Sequence, residues 1–97
     1  MAYKTVFLEE AKLEIAEAAE FYHQASPELS ADLLIKLYET LDVIAKAPFR
    51  NRLFRRKYRK LNLRRFPYKV VYRVVKNVVY VVAFAHQKRR PFYWRGR

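Results

Sequence analysis

The sequence contains no cysteine, only two histidines and a single glycine in 97 residues. Without cysteine the chain has no disulfide bond, no thiol nucleophile and no sulfur ligand for zinc. One glycine, Gly96, cannot build the glycine-rich loop of a P-loop or a dinucleotide-binding fold, or the elbow that holds a nucleophilic serine. We therefore predict neither a metal site nor a cofactor.

Long apolar runs are also missing. The longest, Val78 to Ala85, has eight residues, whereas a membrane-spanning helix needs about 20. Because this run lies in the second half of the chain, it does not read as a signal peptide. We expect no membrane association and a cytoplasmic protein. The 53% hydrophobic content excludes a disordered chain, and the length predicts one domain over residues 1–97.

Charge is distributed very unevenly along the chain, which carries 21 lysines and arginines, nine acidic residues and a net charge of +12. All nine carboxylates lie between Glu9 and Asp42, so residues 1–42 have a net charge of −6 and residues 43–97 a net charge of +18. Cations without a carboxylate in the same segment repel one another and oppose compaction. We therefore expect a polyanion or an acidic protein as a binding partner.

The first half of the chain predicts a short strand, Tyr3 to Leu8, followed by two helices. The first helix begins at Glu9, where acidic residues suit the positive helix end. The second begins after Ser26 as the N-cap and ends near Ala47, since the following proline cannot continue it. Apolar residues recur every three to four positions in both helices: Ala11, Ile15, Ala18, Ala19 and Tyr22, then Leu29, Leu33, Leu37, Leu41 and Ile44.

Beyond Arg52 the apolar period falls to two, which indicates three more strands. They are predicted around Leu61 and Leu63, from Tyr68 to Val74, and around Val79 and Val81. Lys76-Asn77 is predicted as a two-residue hairpin loop with Asn77 in the left-handed conformation. The resulting order, β-α-α-β-β-β, predicts an α+β fold in which a helical hairpin packs on one face of a mainly antiparallel four-stranded sheet. The other face is expected to be open.

Arg50 to Lys60 combines seven cations with Phe54 and Tyr58. Such a run either binds phosphate groups and stacks bases, or is a solvated loop. We favour a surface for a polyanion or an acidic partner, because no local carboxylate neutralises the run. Lys69 and Arg73 alternate with tyrosines and valines, so they are expected on the open face of the sheet.

The last twelve residues, His86 to Arg97, contain one imidazole, five cations and three aromatic rings. The ordinary pKa of histidine suits proton transfer at neutral pH, although a histidine that ends an apolar strand is as often structural. His23 is interpreted as an exposed helical residue. The acidic residues are expected on the solvent face of the helices, which argues against hydrolysis by a carboxylate pair.

Two motifs stand out: Phe66-Pro67-Tyr68 followed by Val70, Val71, Tyr72 and Arg73, and His86-x-x-Arg89-x-Pro91-x-x-Trp94. A looser pattern precedes them, with Ala11-x-x-Glu14-Ile15, a Phe21-Tyr22 pair and a helix that ends at Pro48. Together they resemble the RelE/ParE superfamily of toxins from bacterial type II toxin-antitoxin modules. The resemblance covers nearly the whole chain, and its carboxyl-terminal motif is the most specific part.

The resemblance implies a small basic growth inhibitor, held inactive by a cognate antitoxin whose extended tail covers the helices and the sheet. RelE-like members are ribosome-dependent mRNA endonucleases that cleave without metal, whereas ParE-like members share the fold and inhibit DNA gyrase. The implied target is therefore either DNA gyrase or the ribosome with its mRNA. An alternative is a non-toxic basic module that binds nucleic acid or serves as an accessory protein.

Metal-free RNA cleavage needs a base for the 2′-OH proton, cations on the phosphate and an acid for the leaving oxygen. The motifs and this chemistry together suggest catalytic roles for Lys60, Lys69, Arg73, His86, Arg89 and Tyr93, and target or nucleic-acid binding by Arg59, Arg65, Lys88, Arg90 and Trp94. Asn62 stands where the resemblance leads us to expect a second lysine, and Lys69 where it leads us to expect an arginine, whose planar fork an ammonium lacks. These departures and the long helical hairpin slightly favour the ParE-like function.

Overall fold

The computed structural model describes residues 2–97 as two helices packed on a four-stranded sheet. In chain order the elements are β1 (Lys4–Phe7), α1 (Glu9–Ala25), α2 (Pro27–Lys46), β2 (Arg59–Asn62), β3 (Tyr68–Val75) and β4 (Val78–His86). The strand order across the sheet is β1-β4-β3-β2. β1 is parallel to β4, and the other neighbours are antiparallel. The predicted α+β fold, its element order and its mainly antiparallel sheet are confirmed.

The helical hairpin turns at a single residue, Ser26, which ends α1 and caps α2. Its Oγ accepts a hydrogen bond from the Leu29 N–H at 3.3 Å, and the following proline occupies the first turn, where its missing N–H costs nothing. α2 ends at Lys46, close to the predicted boundary. With so short a connection, the two helices are antiparallel neighbours.

The first hydrophobic core lies between this hairpin and one face of the sheet. The predicted leucine stripe of α2 meets Val70, Tyr72, Val79, Val81 and Phe84 there. Tyr72 is fully buried, and its hydroxyl donates to the Pro48 carbonyl at 2.7 Å and accepts from Asn51 Nδ2 at 3.1 Å. This pair of bonds ties the segment after α2 to the middle of β3.

The prediction that the second face of the sheet is open is wrong. A second core of Tyr58, Val71, Val82, Ala83, Ala85 and Trp94 covers it, with Phe54, Phe92 and Tyr93 packed around. The covering rings come from the segment after α2 and from the carboxyl-terminal segment. These segments carry aromatic residues without helical or strand periodicity, so periodicity alone did not reveal that they pack on the sheet.

An irregularity in β4 lets this strand serve both cores. Val71 pairs with Ala83 and Tyr72 with Val81, which leaves Val82 as an extra residue. The bulge turns Val82 and Ala83 to the second core, while Val81 and Phe84 belong to the first. Every residue from 81 to 85 is therefore buried.

The β3–β4 hairpin has the predicted loop, but the left-handed residue is Lys76, with φ of 54°. Asn77 does not take a positive φ, so that part of the prediction is wrong. A positive φ at the first loop position alone is the pattern of a type II′ turn.

Candidate functional site

The second core is surrounded by cations that stack on its rings. Arg55 Cζ lies 4.1 Å from the ring centroid of Phe92, and Lys57 Nζ lies 5.4 Å from that of Tyr58. We name this surface the basic-aromatic face and define it by its rings and its cations: Phe54, Tyr58, Phe92 and Trp94, with Arg55, Lys57, Lys60, Lys69 and Arg95. It gathers cations from β2, β3, the preceding loop and the carboxyl-terminal segment.

Lys60 and Lys69 lie together on this face. Lys60 pairs in register with Val71 on the neighbouring strand, and its Nζ lies 5.0 Å from the Phe54 ring centroid. Lys69 Nζ lies 5.6 Å from the Trp94 ring centroid. Burial, and then the Lys60 charge, lower the pKa of Lys69 below its usual value. Within residues 2–97 neither lysine pairs with a carboxylate, so both charges are available to an anion.

Arg73 lies on the same side of the sheet but far from this pair. It is four residues along β3 from Lys69, which corresponds to roughly 13 Å in a strand. Its neighbours are Leu8, Val75, Tyr80 and Arg97. The structure therefore separates Arg73 from the two lysines.

His86 lies on the opposite side of the sheet, toward α1. Its ring contacts Tyr68 edge to face at 5.0 Å, and Tyr68 in turn stacks on Phe84 at 4.6 Å. His86 Nδ1 accepts a hydrogen bond from the Lys88 N–H at 3.0 Å. A shallow cavity here is shared by His86 and Arg89 with Glu14 and Glu17 of α1.

Tyr93 is held between two guanidinium groups, with Arg89 Cζ 3.9 Å and Arg97 Cζ 5.2 Å from its ring centroid. Its hydroxyl is buried and has no hydrogen-bond partner of good geometry among residues 2–97. Burial, and then the neighbouring Glu14 carboxylate, raise the pKa of Tyr93 well above its usual value. The phenol therefore stays neutral at physiological pH.

The remaining predicted binding residues are dispersed. Arg59 donates to the backbone carbonyls of Asn51 and Phe49, and Arg65 pairs with Asp32 of α2. Lys88 and Arg90 are exposed in the turn after β4.

Trp94 is only 2% exposed, so it forms the buried base of the basic-aromatic face. His23 is exposed on α1, as predicted.

Glu14 is the residue that sequence reasoning missed, because the acidic residues were all expected on the solvent face. Its Oε1 accepts a hydrogen bond from the Phe84 N–H at 3.0 Å, just beyond the point where β1 stops pairing with β4. Arg97 Nη1 and Nη2 donate to its two oxygens at 3.0 and 3.2 Å, and Nη1 also reaches the Val82 carbonyl at 3.2 Å.

This arrangement ties the carboxyl-terminal segment to α1 and β4. The Glu14 and Arg97 side chains are 10% and 17% exposed, respectively. Burial opposes the charge on Arg97, but the Glu14 hydrogen bonds and charge outweigh it and raise the pKa of Arg97. The spacing of Glu14 from Ala11 and Ala18 places it beside the buried stripe of α1, which was the available signal.

Across residues 2–97, neither helix combines the length and apolarity that a bilayer crossing demands. The same residues contain no group of three or more histidine, aspartate or glutamate side chains arranged to hold a metal ion.

The fold is that of known bacterial toxins. A structure described as the chromosomal ParDE TA system from P. aeruginosa superposes with a TM-score of 0.77 at 15% identity, covering 88% of this chain and 96% of that one. A mutant of the E. coli toxin RelE in the free state superposes with a TM-score of 0.63 at 25% identity, covering 91% and 86%. The first likeness, at this low identity, is one of fold.

The sequence identifies the family of the chain more closely than the fold does. The model of the ParE toxin of the type II toxin-antitoxin system parDE matches residues 6–91. The chain therefore belongs to the ParE toxin family, and the predicted superfamily is confirmed. No curated protein sequence gives a significant match. Family membership makes the chain a type II toxin with an antitoxin partner that neutralises it.

Proposed function

We propose that residues 1–97 form one toxin domain that acts in the cytoplasm by binding and inhibiting DNA gyrase, without catalysing a reaction of its own. The ParE family match supports this proposal. The observation that carries it is the separation of the side chains that a metal-free ribonuclease would need. Lys60 and Lys69 lie on one face of the sheet, whereas His86 lies on the other.

Proton transfer requires a base and an acid within about 3 Å of the reacting oxygens. His86 is on the α1 side, and Arg73 is roughly 13 Å along the strand from Lys69. The Tyr93 hydroxyl is buried, and its pKa is raised. These side chains do not surround one scissile phosphate, whereas a surface that binds a protein target has no need of such convergence.

The test compares both targets with one purified toxin. In the first assay, gyrase supercoils relaxed plasmid in the presence of increasing toxin. In the second, a translation reaction is programmed with a defined mRNA, and new 5′ and 3′ ends are mapped. We expect loss of supercoiling at toxin concentrations near that of gyrase, with intact mRNA. Cleaved mRNA together with unaffected gyrase would overturn the proposal.

Ribosome-dependent mRNA cleavage is the second candidate, and one observation favours it. The pKa of Lys69 is lowered by burial and by Lys60, so at a given pH more of its amine is neutral, and able to accept a proton, than in an ordinary lysine. Under this alternative Lys60→Ala combined with Arg89→Ala abolishes mRNA cleavage while the protein stays folded. Retention of cleavage in that variant would rule out these two residues as its catalysts.

A further inference from the structure

A second cationic feature lies at the rim of the basic-aromatic face, in residues to which neither motif assigned a role. It is a cavity of about 190 Å³ between the turn at residues 55–58 and the carboxyl-terminal turn. Arg55, Lys57 and Arg95 line it together with Tyr58, Phe92 and Gly96. Three cations thus converge on a cavity without an acidic lining residue. We propose that this cavity binds a backbone phosphate of duplex DNA, an inference that rests on gyrase, a DNA-bound enzyme, being the target.

The cations that line the cavity can bind an anion without first leaving another ion pair. Arg55 stacks on Phe92 at 4.1 Å, which fixes its guanidinium and leaves the N–H groups at its edge free to donate. A planar guanidinium matches two phosphate oxygens at once. Within residues 2–97, none of Arg55, Lys57 and Arg95 pairs with a carboxylate. An anion that enters the cavity therefore displaces no existing ion pair.

The backbone around the cavity takes costly conformations. Arg55, Arg56 and Phe92 have φ of 51°, 72° and 62°, and Gly96 has φ of 94°. Among residues 2–97 only Arg65 and Lys76 also have positive φ, so three of the six such residues line the cavity and a fourth, Arg56, follows Arg55 in the chain. Left-handed backbone at non-glycine residues costs of the order of 1 kcal/mol each, and such residues cluster at binding and active sites.

The row of neighbouring cations favours a polyanion with repeated charges over a single carboxylate. The Phe92 ring lies 5.7 Å from that of Phe54, which lies 6.2 Å from that of Trp94. Above these connected rings lie Arg55, Lys60 and Lys69 respectively. The cations therefore form a continuous track that begins at the cavity. A nucleic-acid backbone presents phosphates in such a series, and its contacts release counterions.

The experiment measures binding of a fluorescent duplex DNA by anisotropy, with no gyrase present. The test variant combines Arg55→Gln, Lys57→Gln and Arg95→Gln. The control combines Arg50→Gln, Arg64→Gln and Lys76→Gln, which removes the same charges from exposed positions outside the cavity. Circular dichroism confirms that both are folded. If the test variant does not fold, Arg95→Gln alone replaces it, because this side chain is exposed.

We expect the test variant to bind DNA about tenfold or more weakly at roughly 0.1 M salt, and to lose about 1 unit from the slope of log K against log salt, as the loss of one phosphate contact predicts. The single Arg95→Gln variant should lose no more than about 1 unit of slope. The control variant should change both quantities much less. Equal losses in the two variants would show a general charge effect and overturn the proposal, as would unchanged binding by the test variant.

Two further probes separate the classes of ligand. If the test variant loses affinity only for single-stranded RNA, or only for a polyglutamate peptide, the cavity binds another partner and the DNA proposal is refuted. Since gyrase is absent, failure of gyrase inhibition in the supercoiling assay leaves this result untouched. Conversely, the test variant could lose DNA binding and still inhibit gyrase. This result would show that gyrase inhibition does not need the cavity, while the proposal that the cavity binds DNA would stand.

Discussion

Removal of the Glu14 carboxylate should loosen the entire carboxyl-terminal segment. Glu14 receives one hydrogen bond from the Phe84 N–H and two from Arg97. In Glu14→Ala all three are lost, and the Arg97 guanidinium is left partly buried without its partner. In Glu14→Gln the amide oxygen can still accept from Phe84, but the amide NH2 cannot accept from Arg97, so the charge and one hydrogen bond of the pair are removed.

The expected magnitudes follow from burial. Breaking a fully buried ion pair from one side costs about 3–5 kcal/mol. Because Arg97 retains 17% exposure and Glu14 10%, we expect about 2–4 kcal/mol for Glu14→Ala. Loss of the charge and of one hydrogen bond should cost about 1–2 kcal/mol in Glu14→Gln. The coupling between Glu14→Ala and Arg97→Met should be about 1–3 kcal/mol.

The assay is equilibrium urea unfolding followed by the fluorescence of Trp94. It is the only tryptophan in the sequence and is 2% exposed, so it reports directly on the carboxyl-terminal segment. Glu17→Gln is the matched control, since Glu17 is exposed on the same helix, and its expected cost is below about 0.5 kcal/mol. A Glu14→Ala cost as small as that of the control, or a coupling of zero, would contradict the proposed role of the ion pair.

Three further predictions concern partly or fully buried polar groups. Tyr93→Phe should leave the free energy of unfolding unchanged or raise it by up to about 1 kcal/mol, because the buried hydroxyl has no hydrogen-bond partner of good geometry among residues 2–97. Above pH 10, where the unfolded phenol ionises first, the wild-type protein should lose more stability than this variant. Lys69→Gln should raise the melting temperature at neutral pH, because the lowered pKa of Lys69 means that its charge is less favourable in the folded than in the unfolded protein. This penalty disappears as the pH rises toward 10.5, where the unfolded lysine also loses its proton. Tyr72→Phe should cost about 1–3 kcal/mol in urea unfolding, because Pro48 and Asn51 lose their buried partner. A destabilised Tyr93→Phe, a less stable Lys69→Gln or a neutral Tyr72→Phe would each contradict its argument.

The helices and strands could be predicted from the sequence because their signals are local. The leucine stripe and the Ser26 cap define α2, and the alternation of Tyr68 to Val74 defines the faces of β3. The second core could not be predicted in this way. Phe54, Phe92 and Trp94 lie in loops and turns, where a side chain's direction depends on the tertiary fold and not on a period of two or 3.6.

The candidate site was predicted only in part. Lys60 and Lys69 are brought together, as their strand positions allow. His86 was grouped with them by chemistry, but its pairing with Tyr68 places it on the α1 side of the sheet. The bulge at Val82 also changes which residues of β4 face each core, and an alternation pattern does not reveal a bulge. The roles of the predicted site residues remain predictions.

The parallel pairing of β1 with β4 has a consequence for synthesis of the protein. Lys4 is synthesised long before Val78, its partner in the sheet. During most of translation β1 therefore has no strand to join, and β4 cannot complete either core. Such distant pairing is slow to form, and it delays the appearance of a harmful fold until most of the polypeptide has left the exit tunnel.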